Sequence, residues 1–79
     1  MNKELEDLGF KSDRCFENTE DAATRYVGRI KECKFSCVIG DDDPDTALLI
    51  VTKNDKLLLA DTLPVVDLLK GLNAMKDED

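Results

Sequence analysis

The sequence predicts a single small α+β domain over residues 1–79, in the order α-α-β-β-β-α, with a three-stranded antiparallel sheet packed with helices. Three observations lead there. Apolar residues recur at helical spacing in the segments 18–34 and 64–75. Between these segments lie three short runs rich in Val, Ile and Leu, separated by turn-forming residues. A content of 42% apolar residues in 79 is too high for a disordered chain, yet supports only one marginal core.

Each element has its own justification. Residues 2–9 form a weak amphipathic turn or two, with Leu5 and Leu8 on one side and Gly9 as the stop. Residues 10–17 read as a connector pinned by Phe10 and Phe16, so that 1–17 is the loosely defined part of the chain. The run "NTEDAATRYVGRIKECK" opens on Asn18 and Thr19, either of which can cap a helix, and places Glu20 and Asp21 where the helix dipole favours negative charge. Apolar residues follow at 22, 23, 26, 27, 30 and 33, with Gly28 either a close-packing point or an unexploited weakness of the helix. The pattern then changes. "FSCVI" (35–39) and "TALLIVT" (46–52) read as strands joined by the six-residue loop 40–45, and "KLLLA" (56–60) returns after a turn at Asn54 and Asp55. Asp61 or Thr62 caps a last helix with Pro64 in its first turn and Val65, Leu68, Leu69, Leu72 and Met75 as its apolar stripe. Residues 76–79, "KDED", read as a frayed acidic tail.

The strand from 46 to 52 is apolar on both sides, and so is that from 56 to 60. Such a hairpin is covered on both faces by helices, or on one face by another chain. In the second case Leu49, Val51 and Leu58 are the contact of a homodimer.

Charge is the dominant global feature. Eighteen acids against eleven bases give a formal net charge of −7, and no window of the sequence is rich in Lys or Arg. Direct binding to nucleic acid or to an anionic membrane is disfavoured on that ground, and a basic partner protein is favoured. No apolar run reaches the roughly 20 residues a membrane helix needs, and the charged first residues, "MNKELEDLGF", do not resemble a signal peptide, so the expected setting is cytoplasmic.

The segment "GDDDPD" concentrates this charge in Asp41, Asp42, Asp43 and Asp45. Alternate aspartates suggest a calcium loop, but position 6 from Asp41 is Thr46 where glycine is required, and position 12 is Thr52 where a bidentate glutamate belongs. An Asp-x-Asp-x-Thr phosphoryl-transfer motif is likewise out of register, since its fifth position is Asp45. A turn needs fewer carboxylates than these, and their mutual repulsion is relieved by a cation or a basic partner.

Chemistry of other kinds lacks its residues. There is no histidine, the four glycines are isolated, and Ser12 and Ser36 have no nucleophile-elbow context. Cys15, Cys33 and Cys37 are odd in number and lack a fourth nitrogen or sulfur ligand for zinc, which leaves them as small core residues. The expectation is therefore a non-enzyme without cofactor or metal. It is a small acidic protein-binding regulator or inhibitor that occupies a basic surface of its partner, a nucleic-acid-binding one among the options, with the physical profile of immunity proteins, antitoxins and phage anti-defence proteins. Its contact residues are Asp41, Asp42, Asp43 and Asp45, with Glu17, Glu20 and Asp21 as a second acidic patch. The alternative is a homo-oligomeric adaptor assembled through the apolar hairpin.

Overall fold

The computed structural model describes the backbone of residues 3–77 and the side chains of residues 3–75. Its elements are α1 (Lys3–Asp7), β1 (Lys11–Cys15), β2 (Ala23–Ile30), β3 (Cys33–Gly40), β4 (Asp43–Lys53), β5 (Lys56–Pro64) and α2 (Val65–Asp77). The strands form one antiparallel sheet in sequence order, each paired with the next. The α+β class stands, but the sheet has five strands where three were expected, and two helices where three were expected.

The largest correction falls on residues 18–34, which are loop, strand and turn instead of helix. Apolar residues at 23, 26, 27 and 30 fit a helical stripe, but Thr24, Tyr26, Gly28 and Ile30 also share one face of a strand. Thr24, Tyr26, Val27 and Ile30 are β-branched or aromatic, and such residues suit a pleated surface. β2 turns into β3 through Lys31 and Glu32, with Lys31 at φ 60°. The expected connector 10–17 contains β1, a charged edge strand with no apolar alternation to reveal it. The expected loop 40–45 shortens to a turn at Asp41 and Asp42, because β4 already begins at Asp43. Asp61 and Thr62 do not cap a helix; they belong to β5, which runs to Pro64 before α2 starts. Of the expected frayed tail, positions 76 and 77 continue α2, and positions 78 and 79 lie outside the described residues.

Other expectations hold. α1 carries Leu5, and the chain leaves it through Gly9 at φ 96°, a conformation glycine adopts without strain. Asn54 and Asp55 have φ of 54° and 65°, the paired positive values of a type I′ hairpin turn.

One face of the sheet carries the core. Tyr26 sits opposite Cys37, Cys37 opposite Leu49, and Phe35 opposite Val51, so these five buried side chains form a continuous patch. Leu5, Phe10, Val65, Leu68 and Leu72 cover it from α1, the α1–β1 junction and α2. α2 lies along β4 and β5. Gly28 is a close-packing point as expected, though in a strand: the ring of Phe10 occupies the space where its Cβ would be.

No helix among the described residues lies over the opposite face. Val27, Val38 and Ile50 are half-buried there, and Leu48 is 40% exposed. The two-sided apolarity of the hairpin thus resolves into one covered face and one open one. Of the residues expected at a dimer contact, Leu49 and Val51 lie in the core, and only Leu58 is exposed. It stands in β5, an edge strand that also exposes Leu57 and Leu59 beside a bulge. The cysteines are free thiols. Cys37 is fully buried and its thiol is pushed up to about 11, while Cys15 and Cys33 are half-buried.

Candidate acidic site at one end of the sheet

In an antiparallel meander, alternate connections emerge at the same end of the sheet. The β1–β2 connection (residues 16–22) and the β3–β4 turn are therefore neighbours, joined directly by the Asp41 amide donating to the Ala22 carbonyl at 3.0 Å. The two acidic patches, about twenty residues apart in the sequence, meet at this end. Glu17, Glu20 and Asp21 come from the first connection, Asp41 and Asp42 from the turn, and Asp43 and Asp45 from the start of β4. All seven side chains are exposed.

Arg14 of β1 ties the two segments together. Its guanidinium donates to both carboxylate oxygens of Asp41, Nη1 to Oδ1 at 2.9 Å and Nη2 to Oδ2 at 2.6 Å. Nη1 also donates to Oγ1 of the buried Thr24 at 2.6 Å. Nε lies 3.4 Å from Glu17 Oε1. Paired N–H donors in a rigid fork match a carboxylate in both charge and direction. The bonds to Arg14 hold the Asp41 carboxyl below the usual carboxylate range, and Asp41 holds the Arg14 guanidinium more firmly protonated than usual.

The connection is ordered by local bonds as well. The Thr19 hydroxyl donates to the Phe16 carbonyl at 2.6 Å and accepts from the Asp21 amide at 3.2 Å. Phe16 and Asn18 adopt positive φ of 56° and 67°. These bonds use Thr19 to shape a loop, where the sequence suggested a helix cap. In the other segment the Thr46 hydroxyl donates to Asp43 Oδ2 at 2.6 Å. Asp41 and Asp43 are thus partly engaged within the chain, while Asp42 and Asp45 are turned to solvent without a described bond.

An open groove of about 530 Å³ adjoins this end, between α1 and the sheet. Tyr26, Ile39 and Pro44 give it apolar walls, and Lys3, Glu4 and Asp41 give it charged ones. Nothing in the sequence pointed to Arg14 as the organiser of the site. Its signal was present only as a cation within the expected connector 10–17, at a position whose strand character was not visible. Among the described residues no three Cys, Asp or Glu side chains are placed to hold a metal ion together. The chain matches no family model, no curated protein and no solved structure. No helix among the described residues is long and apolar enough to cross a membrane.

Proposed function

We propose that this protein is a small binding protein with no chemistry of its own, which occupies a basic, nucleic-acid-binding surface of a partner through the acidic end of its sheet. Immunity proteins, antitoxins and phage anti-defence proteins act in this manner. The observation that supports the reading is the convergence of carboxylates from two separate segments, held in place by the Arg14–Asp41 pair. A like-charged cluster on a fixed scaffold is suited to meeting a basic surface, because it attracts at a distance and loses little side-chain freedom on contact.

The test is capture of partners from the native host's lysate on immobilised protein, at low and at moderate salt. A companion variant carries Asn at Asp21, Asp42, Asp43 and Asp45 and leaves Asp41 to Arg14. The expected result is a stoichiometric basic partner that is lost both in salt and in the variant. Capture that is indifferent to the four substitutions would refute the acidic end as the contact.

A second reading has its own observation. β5 is a nine-residue edge strand exposing Leu57, Leu58 and Leu59, whereas the other edge, β1, is short and charged in the way natural edges are protected. On this reading the protein is a homo-oligomer or adaptor assembled through β5. Sedimentation as a dimer that Leu58→Lys converts to a monomer would establish it; a monomer at all concentrations would eliminate it.

A further inference from the structure

We infer that the open face of the sheet is a second docking surface, opposite in charge to the acidic end, and that its occupant is an acidic amphipathic helix of a partner protein. Pairing registers define the face. Three cross-strand rows run across it: Lys11, Val27, Ser36, Ile50 and Ala60; then Asp13, Arg25, Val38, Leu48 and Thr62; then Arg29, Lys34, Thr52 and Leu57. Strand alternation sends these side chains to the side away from the core, with the bulge at Leu58 bringing Leu57 into the row of Thr52.

Two properties of the rows identify the occupant. The first is charge. Lys11, Arg25, Arg29 and Lys34 face outward with a single carboxylate among them, Asp13, which lies 3.5 Å from Arg25. On a chain of net charge −7 this face carries a surplus of cations. Arg29 and Lys34 are direct cross-strand neighbours, and like charges so placed destabilise a sheet unless an anion meets them. Glu32 and Asp55, from the turns at the end of this row, line the same hollow as Arg29 and Lys34 and offset part of their charge, and Glu32 is also engaged by Lys53 at 3.1 Å.

The second property is shape. Val38, Leu48, Ile50 and Ala60 make an apolar band over β3, β4 and β5, and the inner side of β4 and β5 is covered by α2. The outer side of those strands lacks its equivalent layer. Val27 extends the band onto β2, and from β2 to β5 it spans about 14 Å at normal strand spacing, close to the length of a three-turn helix at about 16 Å. A helix lying across the strands, with leucines on one side and glutamates along the flank toward Arg29 and Lys34, satisfies both the band and those cations. A second copy of this chain fits poorly, because face-to-face pairing opposes the same surplus of cations.

The experiment uses two synthetic peptides of 14 residues, both with leucines at i, i+3, i+4 and i+7. One carries glutamate at the flanking positions, and its twin carries lysine there. Each is titrated into isotopically labelled protein and followed by amide chemical shifts. The glutamate peptide should shift the amides of Val27, Val38, Leu48 and Ile50, and its affinity should fall at least fivefold between about 50 mM and 500 mM salt. Arg29→Glu, which relieves the repulsion with Lys34 and so spares the fold, should weaken it at least fivefold. The inference is overturned by equal affinity for both peptides, by shifts confined to other surfaces, or by a free protein that sediments as a dimer with those four amides protected.

Discussion

Gly28 gives the sharpest test of the packing described here, because two opposing effects can be weighed. A Cβ added at this position would lie 2.6 Å from Cδ1 of Phe10 and 2.8 Å from Cε1 and Cγ. Carbon atoms in contact normally sit about 3.5–4.0 Å apart, so the methyl group intrudes by about 1 Å on a ring only 4% exposed. Overpacking of that kind costs about 1–3 kcal/mol. Against it, replacing a strand glycine at an ordinary φ stabilises by about 0.4–1 kcal/mol through the unfolded state. The intrusion wins, and Gly28→Ala should destabilise by about 1–2 kcal/mol. With a urea m-value on the order of 1 kcal/mol/M for so small a domain, the unfolding midpoint should fall by about 1–2 M. Phe10→Leu destabilises by itself through lost packing, but it removes the obstructing ring edge. The double variant should therefore be more stable than the two single losses imply, with a coupling of about 1 kcal/mol. A Gly28→Ala protein as stable as the parent, or a double variant with no coupling, would refute the close approach of ring and strand.

Three further outcomes are expected. Gly71, within α2, has open space where a Cβ would go, so Gly71→Ala should raise stability by about 1 kcal/mol in the same urea assay. Lys31 holds φ of 60° at the first central position of the β2–β3 turn, and Lys31→Gly should raise the urea midpoint, by about 0.5–1 kcal/mol in stability. Asp41 has a carboxyl pKa lower in the folded state than in the unfolded chain, because Arg14 bonds its charged form. The stability this contributes is complete above the unfolded value near 4 and is lost as pH falls through the lower folded value. Arg14→Met should therefore lower the urea midpoint at pH 7 and flatten its decline in acid below about pH 4; parallel curves for the two proteins would contradict the pairing.

What could be read from the sequence follows the strength of each local signal. α1 with its Gly9 stop, the strand cores at 35–39 and 46–52, the Asn54–Asp55 turn and the stripe of α2 were legible, because each is marked by strong turn chemistry or by a clean apolar pattern. β2 was not. Its inward residues are Thr24, Tyr26, Gly28 and Ile30, and two of those four look polar or neutral until the contacts are known: Arg14 bonds Thr24, and Phe10 fills the place beside Gly28. β1 had no apolar alternation at all, since its exposed edge position makes none necessary. With β1 read as a connector and β2 as a helix, the sheet lacks two strands and the acidic residues lack their common end. The members of the acidic site were named from composition, but their meeting depends on strand topology and on Arg14, neither of which has a local signature. Leu49 and Val51 were read as candidates for a contact because period-2 alternation shows that a strand has two apolar faces without showing which one the chain itself covers.

The same alternation explains how charges interleaved along the chain become separate surfaces. Glu20 and Asp21 precede Arg25 by only a few residues, yet the first two stand in the connection at the acidic end while Arg25 and Arg29 project from the open face. The net charge of −7 therefore acts on approaching partners only out to about a Debye length, about 8 Å at physiological salt, and governs contact poorly. During that approach the whole molecule attracts cationic partners and repels anionic ones. Within a few ångströms the end and the face have opposite preferences. An anionic helix must reach the open face against the monopole, so its association should be slow and driven by the apolar band, and a basic partner approaches the acidic end with the monopole, so its association should be fast and steeply salt-dependent. The two proposed contacts use different residues, so a partner bound at one should leave the affinity of the other unchanged.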